Sequence, residues 1–286
     1  MSGNDPNQIN LKDAQQISLQ IITSARDLIE ETFANSDGKL HDKTLSTLRR
    51  LMSYASGRSQ CASFLISNHY LWDTEIILRS FYEAIAKVMF ICQHPTENAD
   101  ELANEFWGDY REAEDKLTTN RSQIALKLAS RAMQADDVRV FEALSVGGVL
   151  TETKMNRPDR QKVRRKWSFT EIVDVLDNKI EGASALVHIY SVQSHLCHAD
   201  NIALDYIYDH VSRSIPEAQL KEASHICRIL SDQAYLWYFA AYSIGKVIGT
   251  KFDHQEFKEL FKKLSDEIDP ITEAFNRSQD EFYNSL

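Results

Sequence analysis

Between residues 220 and 248, apolar side chains recur at alternating steps of three and four residues. This spacing places them on one face of an α-helix, as in the buried face of a long helix. Small residues recur among the large ones, which lets a second helix approach closely. The run consists of Leu220, Ala223, Cys227, Leu230, Ala234, Trp237, Ala241, Ile244 and Ile248. It predicts a long helix packed against at least one other.

The composition extends this prediction to the whole chain. Its 286 residues include only 9 glycines and 5 prolines, where average usage would give about 20 and 14. Turns and hairpins use both residues heavily, so their scarcity favours long helices. Helical periodicity recurs at 11–34, 43–68, 73–92, 183–210 and 257–282, and we find no β-type alternation. We therefore predict an all-α fold: one domain over 1–286, a bundle of seven to nine mostly long antiparallel helices, with Trp237 and Phe275 in its core.

Charge and cysteine usage restrict the environment of the chain. The net charge is −10, which disfavours nucleic acid as a general partner. The four cysteines form no Cys-x-x-Cys pair, which is typical of reduced, buried thiols. Residues 1–10 lack an apolar signal core, and the most apolar run, 234–245, is too short to cross a bilayer. We expect a cytoplasmic protein with no membrane contact, whose partner is another protein or a second copy in a homodimer.

Residues 147–167 break the helical pattern. They begin with Gly147-Gly148 and carry seven basic residues against two acidic ones. One interpretation is an anion or nucleic-acid contact through Arg164, Arg165 and Lys166, with Trp167 stacking on a base. The other, which we favour, is a solvated flexible loop that offsets the charge of acidic helices.

Histidines are concentrated on the predicted helix 183–210. His188, Ser191, His195 and His198 are spaced three, four and three residues apart, so they share one helical stripe. Such a stripe could bind a metal or transfer protons. The spacing favours hydrogen-bonded histidines at a helix interface instead, and we predict no metal and no cofactor.

Arg79 and Glu83 lie four residues apart on the predicted helix 73–92 and can pair along it. That helix is otherwise strongly apolar, so we expect the pair to be partly buried. A buried ion pair seldom adds stability, so its presence indicates a further structural or functional role. We expect Glu83 to accept a hydrogen bond from Tyr190 or His195 across the bundle. The contact would either fix the register of the helices or form a proton-transfer site.

Phosphate-binding loops, dinucleotide fingerprints, nucleophile elbows and the His-Glu-x-x-His zinc motif do not occur in the chain. Residues 78–84, Leu-Arg-Ser-Phe-Tyr-Glu-Ala, do resemble the helix of bacterial domain-of-unknown-function family 5677 that carries an aliphatic residue, Arg and, four residues later, Glu. Trp167 at the head of a helix is similar to the second element of that family, and Tyr190-Ser191-x-x-x-His195 to its later helix. The resemblance covers about 70–204. It implies a helical fold without an established activity, and it marks Arg79, Glu83, Ser191 and His195.

A more distant resemblance is to the helical nucleases of toxin and abortive-infection systems, the HEPN group. Their signature is Arg, four to six residues, then His. No histidine of this chain has an arginine five to seven residues before it, which counts against that nuclease mechanism.

Two functional hypotheses follow. The first is a non-enzymatic interaction or regulatory module that makes contact through helix surfaces and the 147–167 segment. The second is a hydrolase or nuclease of a phage-defence or toxin-type system, with Glu83 and His195 as the acid–base pair beside Arg79, and with Tyr190, Ser191 and His198 lining the site. The sequence favours the first, because no nucleophile–base arrangement can be identified from spacing.

Overall fold

The structure, a computed structural model, describes residues 9–94, 96–129, 155–180, 183–250 and 252–284. These ranges contain helices and no strand, which confirms the all-α prediction. The helices are α1 (Lys12–Ala34), α2 (Asp42–Ser67), α3 (Leu71–Cys92), α4 (Thr96–Glu105), a π-helical segment (Phe106–Tyr110), α5 (Arg111–Ala129), α6 (Arg157–Lys166), α7 (Phe169–Asp177), α8 (Ala185–His198), α9 (Asn201–Ser212), α10 (Ile215–Ile248) and α11 (His254–Asn284). With the continuous run 96–129 taken as one, ten helices are described, close to the seven to nine expected.

Two helices, α3 and α10, form the centre of the bundle. The first packs against α2, α7, α8 and α10, and the second also packs against α1 and α11. Leu78, Phe81 and Ile85 of α3 are fully buried, and Trp237 of α10 lies among them as expected. Phe275 is only half-buried and lies outside this core, because the second half of α11 borders an open groove.

The periodic run of residues 220–248 forms α10, the longest helix described. Apart from the half-buried Leu220, the predicted face is buried throughout. The helix begins with a capping box, in which the Ser214 and Glu217 side chains bond the first backbone N–H groups. It ends at Gly249, whose φ of 77° is the left-handed conformation that glycine adopts without strain.

The predicted single helix 183–210 is two helices in the structure. Ala199 has a φ of 47°, which ends α8. The Asp200 carboxylate then accepts a hydrogen bond of 3.1 Å from the Ala203 N–H and begins α9. The sequence did not reveal this break because alanine is a strong helix former that rarely takes the left-handed conformation.

A helix also occupies most of the described part of the segment expected to be a loop. Asn156 caps α6 by accepting a hydrogen bond of 2.9 Å from the Asp159 N–H, and Pro158 lies in the first turn. Residues 157–166 are therefore helical, while 147–154 lie outside the described residues. No described helix has both the length and the apolarity that a bilayer crossing requires.

Candidate functional site

The polar residues near positions 80 and 190 meet between α3 and α8. The Tyr190 hydroxyl donates a hydrogen bond of 2.6 Å to Glu83 Oε1 and accepts one of 3.0 Å from Arg79 Nη2. Arg79 Nε lies 3.6 Å from the same Glu83 oxygen. We call these three residues the α3–α8 cluster. Of the two partners expected for Glu83, the structure has Tyr190.

Burial controls the ionisation of Tyr190. Its ring stacks on Phe169 at a centroid distance of 4.1 Å. Burial, followed by the hydrogen bond to Glu83, raises the pKa of Tyr190 to about 12. The phenol therefore stays neutral near pH 7 and remains a hydrogen-bond donor, which suits a fixed contact between two helices.

Lys87 extends the polar face of α3 by one turn beyond Glu83. Its ammonium lies 5.7 Å from the centroid of the Tyr110 ring. Burial lowers the pKa of Lys87, and the carboxylates of Glu83 and Glu114 partly offset this effect. Glu83 therefore has a cation on either side along α3, Arg79 and Lys87.

His195 has a different partner from the one a Glu83–His195 site would need. Its Nδ1 lies 2.6 Å from Asp200 Oδ2, across the break between α8 and α9. The hydrogen bond from His195, followed by that from the Ala203 N–H, lowers the pKa of Asp200. In a continuous helix Asp200 would point away from His195, so their contact depends on the break at Ala199. Glu83 and His195 therefore bond separate partners.

The rest of the histidine stripe faces solvent. His188, Ser191 and His198 are exposed, so the stripe does not lie at a helix interface as expected. The inward side of α8 carries Gln193 and Leu196 instead. Among the residues that the structure describes, no three His, Cys, Asp or Glu side chains are grouped to hold a metal ion.

Each of the predicted anion-binding residues on α6 has an acidic partner. Arg164 Nε lies 2.7 Å from Glu114 Oε1, Arg165 Nε lies 2.5 Å from Glu171 Oε1, and Lys166 Nζ lies 2.8 Å from Glu105 Oε2.

Trp167, at the end of α6, is 1% exposed and donates a hydrogen bond of 2.6 Å from Nε1 to Glu105. Its ring lies among Phe90, Phe106 and Tyr110. Because it is buried, it cannot stack on a base, and its role is to pack α6 onto the bundle.

Sequence analysis missed a buried ionic network between α3 and α10. The Arg228 guanidinium bonds Glu75 and also Asp232, the latter at 2.8 Å, and the Tyr82 hydroxyl donates to Asp232 at 2.6 Å. Gln193 of α8 donates to the second Glu75 oxygen at 3.2 Å. The available signal was the presence of Glu75 and Arg228 within strongly apolar stretches of helix.

The charged side chains of this network shift the pKa values of one another. Burial opposes ionisation of Glu75, but Arg228 and then His225 outweigh it, and the pKa of Glu75 falls to about 2. Burial raises the pKa of Asp232 despite its contact with Arg228. The network joins three helices in the interior, which is the position of a structural element.

The outer face of α9 is apolar and uncovered. Leu204, Tyr208, Val211 and Ile215 are 59%, 72%, 67% and 76% exposed. Leu204, Tyr208 and Val211 lie on α9 at steps of four and three residues, and we call these three the α9 stripe, whereas Ile215 is the first residue of α10. The half-exposed Ile207 adjoins them.

The inner face of α9 borders an open groove of about 750 Å³ between α9, α10 and α11. There Asp209 bonds the buried Lys221 ammonium and accepts a hydrogen bond of 3.1 Å from Arg213 Nη2. These ionic contacts anchor α9 to α10, and Tyr208 lies where the α9 stripe meets the groove.

Comparison with family models, with curated proteins and with solved structures gives no match to this chain.

Proposed function

We propose that this protein is a non-enzymatic interaction module that binds a protein partner through the outer face of α9. The observation that carries the proposal is the α9 stripe: three large apolar side chains on one helix, each more than half exposed, with the exposed Ile215 close by at the start of α10. Exposed apolar patches of this kind mark interaction sites, because a chain gains nothing by keeping them in water. The half-exposed Ile207 enlarges the patch.

The polar candidates support the same proposal. Glu83 is bonded to Tyr190, and His195 to Asp200. Arg164, Arg165 and Lys166 of α6 are paired with Glu114, Glu171 and Glu105. Groups bonded to one another in this way favour a scaffold over an acid–base pair that faces a shared substrate.

A hydrolysis assay tests the proposal against the hydrolase or nuclease alternative. Wild-type protein is incubated with single- and double-stranded RNA and DNA and with an aryl phosphate ester. We expect no turnover above buffer, and we expect Glu83→Gln and His195→Ala to change stability only.

The control for that assay is His188→Ala, which removes an exposed histidine of the same helix. Turnover that Glu83→Gln or His195→Ala abolishes, while His188→Ala retains it and all three variants stay folded, would overturn the non-enzymatic proposal.

A further inference from the structure

We infer that a pocket between α1, α2 and α10 binds a small uncharged ligand that carries an amide group beside an apolar group. The pocket has a volume of about 310 Å³, at the lower end of the range of small-molecule sites. It is formed by residues other than those of the α9 stripe, so this inference does not depend on the protein partner proposed there.

The pocket opens where neither α1 nor α2 covers α10. The first of these helices packs against α10 and α11, and the second packs against α3 and α4. Leu230 and Gln233 of α10 form the floor, while Ile22 of α1 and Ile66 of α2 form apolar walls. These four side chains are buried, and Leu19 at the rim is 60% exposed. A ligand can therefore place an apolar group against aliphatic side chains that are already ordered.

A chain of hydrogen bonds fixes the orientation of the Gln233 amide on this floor. The Trp237 indole N–H donates to Ser59 Oγ at 3.1 Å, and the Ser59 hydroxyl donates to Gln233 Oε1 at 2.8 Å. An indole nitrogen can only donate, so the serine oxygen accepts from it and gives its own proton to the amide oxygen. The amide nitrogen of Gln233 therefore lies on the side away from Ser59.

That amide nitrogen has no acceptor within the protein as described. Gln233 is 1% exposed, and no residue in the described ranges accepts a hydrogen bond from its Nε2. The nitrogen is not one of the fully enclosed polar atoms that lack a partner, so it reaches the pocket that Gln233 lines. Leaving a buried donor unpaired is unfavourable, and a carbonyl oxygen of a ligand would pair it.

The serine hydroxyls of the pocket complement the other half of an amide. Ser18 and Ser63 both line it. The Ser18 hydroxyl donates to the Leu230 carbonyl at 2.9 Å, and the Ser63 hydroxyl donates to the Ser59 carbonyl at 3.1 Å. Each hydroxyl has used its one proton, and its oxygen can still accept. A ligand whose carbonyl meets Gln233 and whose N–H meets one of these oxygens is an amide.

The charges around the pocket favour a neutral ligand. Of the residues that line it, only Lys12 is charged, and this exposed lysine is the first residue of α1. It lies about 15 Å along the helix axis from Ile22. A carboxylate at the floor would lose its water without a cation to pair it, and an ammonium group would meet no acidic lining residue.

Titration of the full-length protein with N-benzylbutanamide, followed by NMR of nitrogen-15-labelled glutamine side chains, tests the site. The size of this probe predicts a dissociation constant on the order of 0.1–1 mM. The matched probe is 5-phenylpentanoate, a carboxylate of the same size, which should bind at least about tenfold more weakly. Absence of saturable shifts at about 5 mM amide, or equal binding of the two probes, would overturn the inference.

The side-chain amide signals of Gln233, identified by their loss in Gln233→Met, test the contact itself. They should move downfield as the amide binds, because a new acceptor deshields the amide protons. Gln233→Met should weaken binding about tenfold through loss of one hydrogen bond. The matched control, Gln20→Met, alters an exposed glutamine of α1 outside this pocket and should bind like the wild type. Saturation without movement of the Gln233 signals, or unchanged binding by folded Gln233→Met, contradicts the assigned contact.

A second variant decides the question if Gln233→Met does not fold. Ser63 is half-buried, and its hydroxyl bonds the backbone of its own helix. Ser63→Leu introduces a good helix former that fills the pocket from the α2 side. It should abolish binding of N-benzylbutanamide while the unfolding temperature stays unchanged. Binding that survives Ser63→Leu would place the amide elsewhere on the protein and overturn the inference.

Discussion

Tyr190 and Glu83 lie 107 residues apart in the chain, and their side chains share a hydrogen bond of 2.6 Å. The contact joins α8 to the central helix α3, and Arg79 supports it by donating to the same hydroxyl. A phenol that stays neutral, held between a carboxylate and a guanidinium, allows α8 to dock in one register only.

Removal of that hydroxyl should destabilise the fold. Tyr190→Phe keeps the ring that stacks on Phe169 but removes the bonds to Glu83 and Arg79. We expect the free energy of unfolding to fall by about 1–2 kcal/mol, measured by urea denaturation at neutral pH. The control, Tyr70→Phe, alters an exposed tyrosine and should change it by less than about 0.5 kcal/mol. Equal effects of the two variants would contradict a role for the Tyr190 hydroxyl in docking.

Glu75→Gln should lower the free energy of unfolding by more than Tyr190→Phe does. Glu75 is 1% exposed, and its replacement leaves the partly buried Arg228 with one carboxylate, Asp232. Breaking a buried ion pair costs about 3–5 kcal/mol, and we expect the lower end because Asp232 remains. The control is Glu171→Gln, which breaks the surface pair with Arg165 and should cost about 1 kcal/mol or less. Urea denaturation distinguishes the two, and a Glu75→Gln effect as small as the control would argue against the network.

Lowering the pH should destabilise the folded protein because Glu75 becomes protonated. The pKa of Glu75 is lowered from 4.5 to about 2, so its contribution to stability is complete above pH 4.5 and is lost as the pH falls towards 2. Asp232, whose pKa is raised by burial, acts in the opposite direction. The difference in unfolding free energy between wild type and Glu75→Gln isolates Glu75, and it should shrink steadily from about pH 5 to pH 3. A difference that stays constant over this range would contradict the lowered pKa.

Ala199→Gly should stabilise the chain. Ala199 has a φ of 47°, a conformation that costs a residue with a Cβ about 1 kcal/mol and costs glycine little. We expect the unfolding temperature to rise, partly offset by the greater freedom of glycine in the unfolded chain. Ala203→Gly, four residues later within α9, should instead lower the stability by about 1 kcal/mol. Calorimetry measures both changes, and two shifts of the same sign would be inconsistent with strain at Ala199.

Replacement of Glu105 should destabilise the protein more than replacement of its surface partner Lys166. Glu105→Ala leaves the buried Trp167 N–H without its acceptor, a loss of about 1–3 kcal/mol. Lys166→Ala removes only a half-exposed ion pair with Glu105 and should cost less than about 1 kcal/mol. Tryptophan fluorescence should follow unfolding in both variants. A loss with Lys166→Ala that matches the loss with Glu105→Ala would show that the ion pair, not the indole, holds α6 in place.

Local patterns in the sequence were sufficient to predict most of the long helices and the place of Trp237 in the core. The spacing in 220–248 predicted α10 and its buried face, because a helical period depends only on neighbouring residues. The sequence predicted that Glu83 accepts a hydrogen bond from either Tyr190 or His195, and in the structure the donor is Tyr190. His195 bonds Asp200 instead, because the left-handed conformation of Ala199 brings that carboxylate back to it, and the residue type of Ala199 does not predict such a conformation.

Contacts between distant segments could not be predicted in the same way. The sequence left Arg164, Arg165 and Lys166 free to bind an anion, but each has an acidic partner, from α5, α7 and α4 respectively. Glu75 and Arg228 lie 153 residues apart, and no local pattern relates them. Pairing of this kind depends on how the helices are arranged around one another.

The amino-acid sequence by itself determined that Leu204, Tyr208 and Val211 share one face of a helix, just as it determined the apolar face of α10. Only the tertiary structure decided that the α10 face is buried and the α9 face is open to solvent. A period specifies which side chains point the same way, because it follows from the backbone of one helix. What that face meets depends on the neighbouring helices, and here the ionic contacts of Asp209 with Lys221 and Arg213 turn the other side of α9 inward.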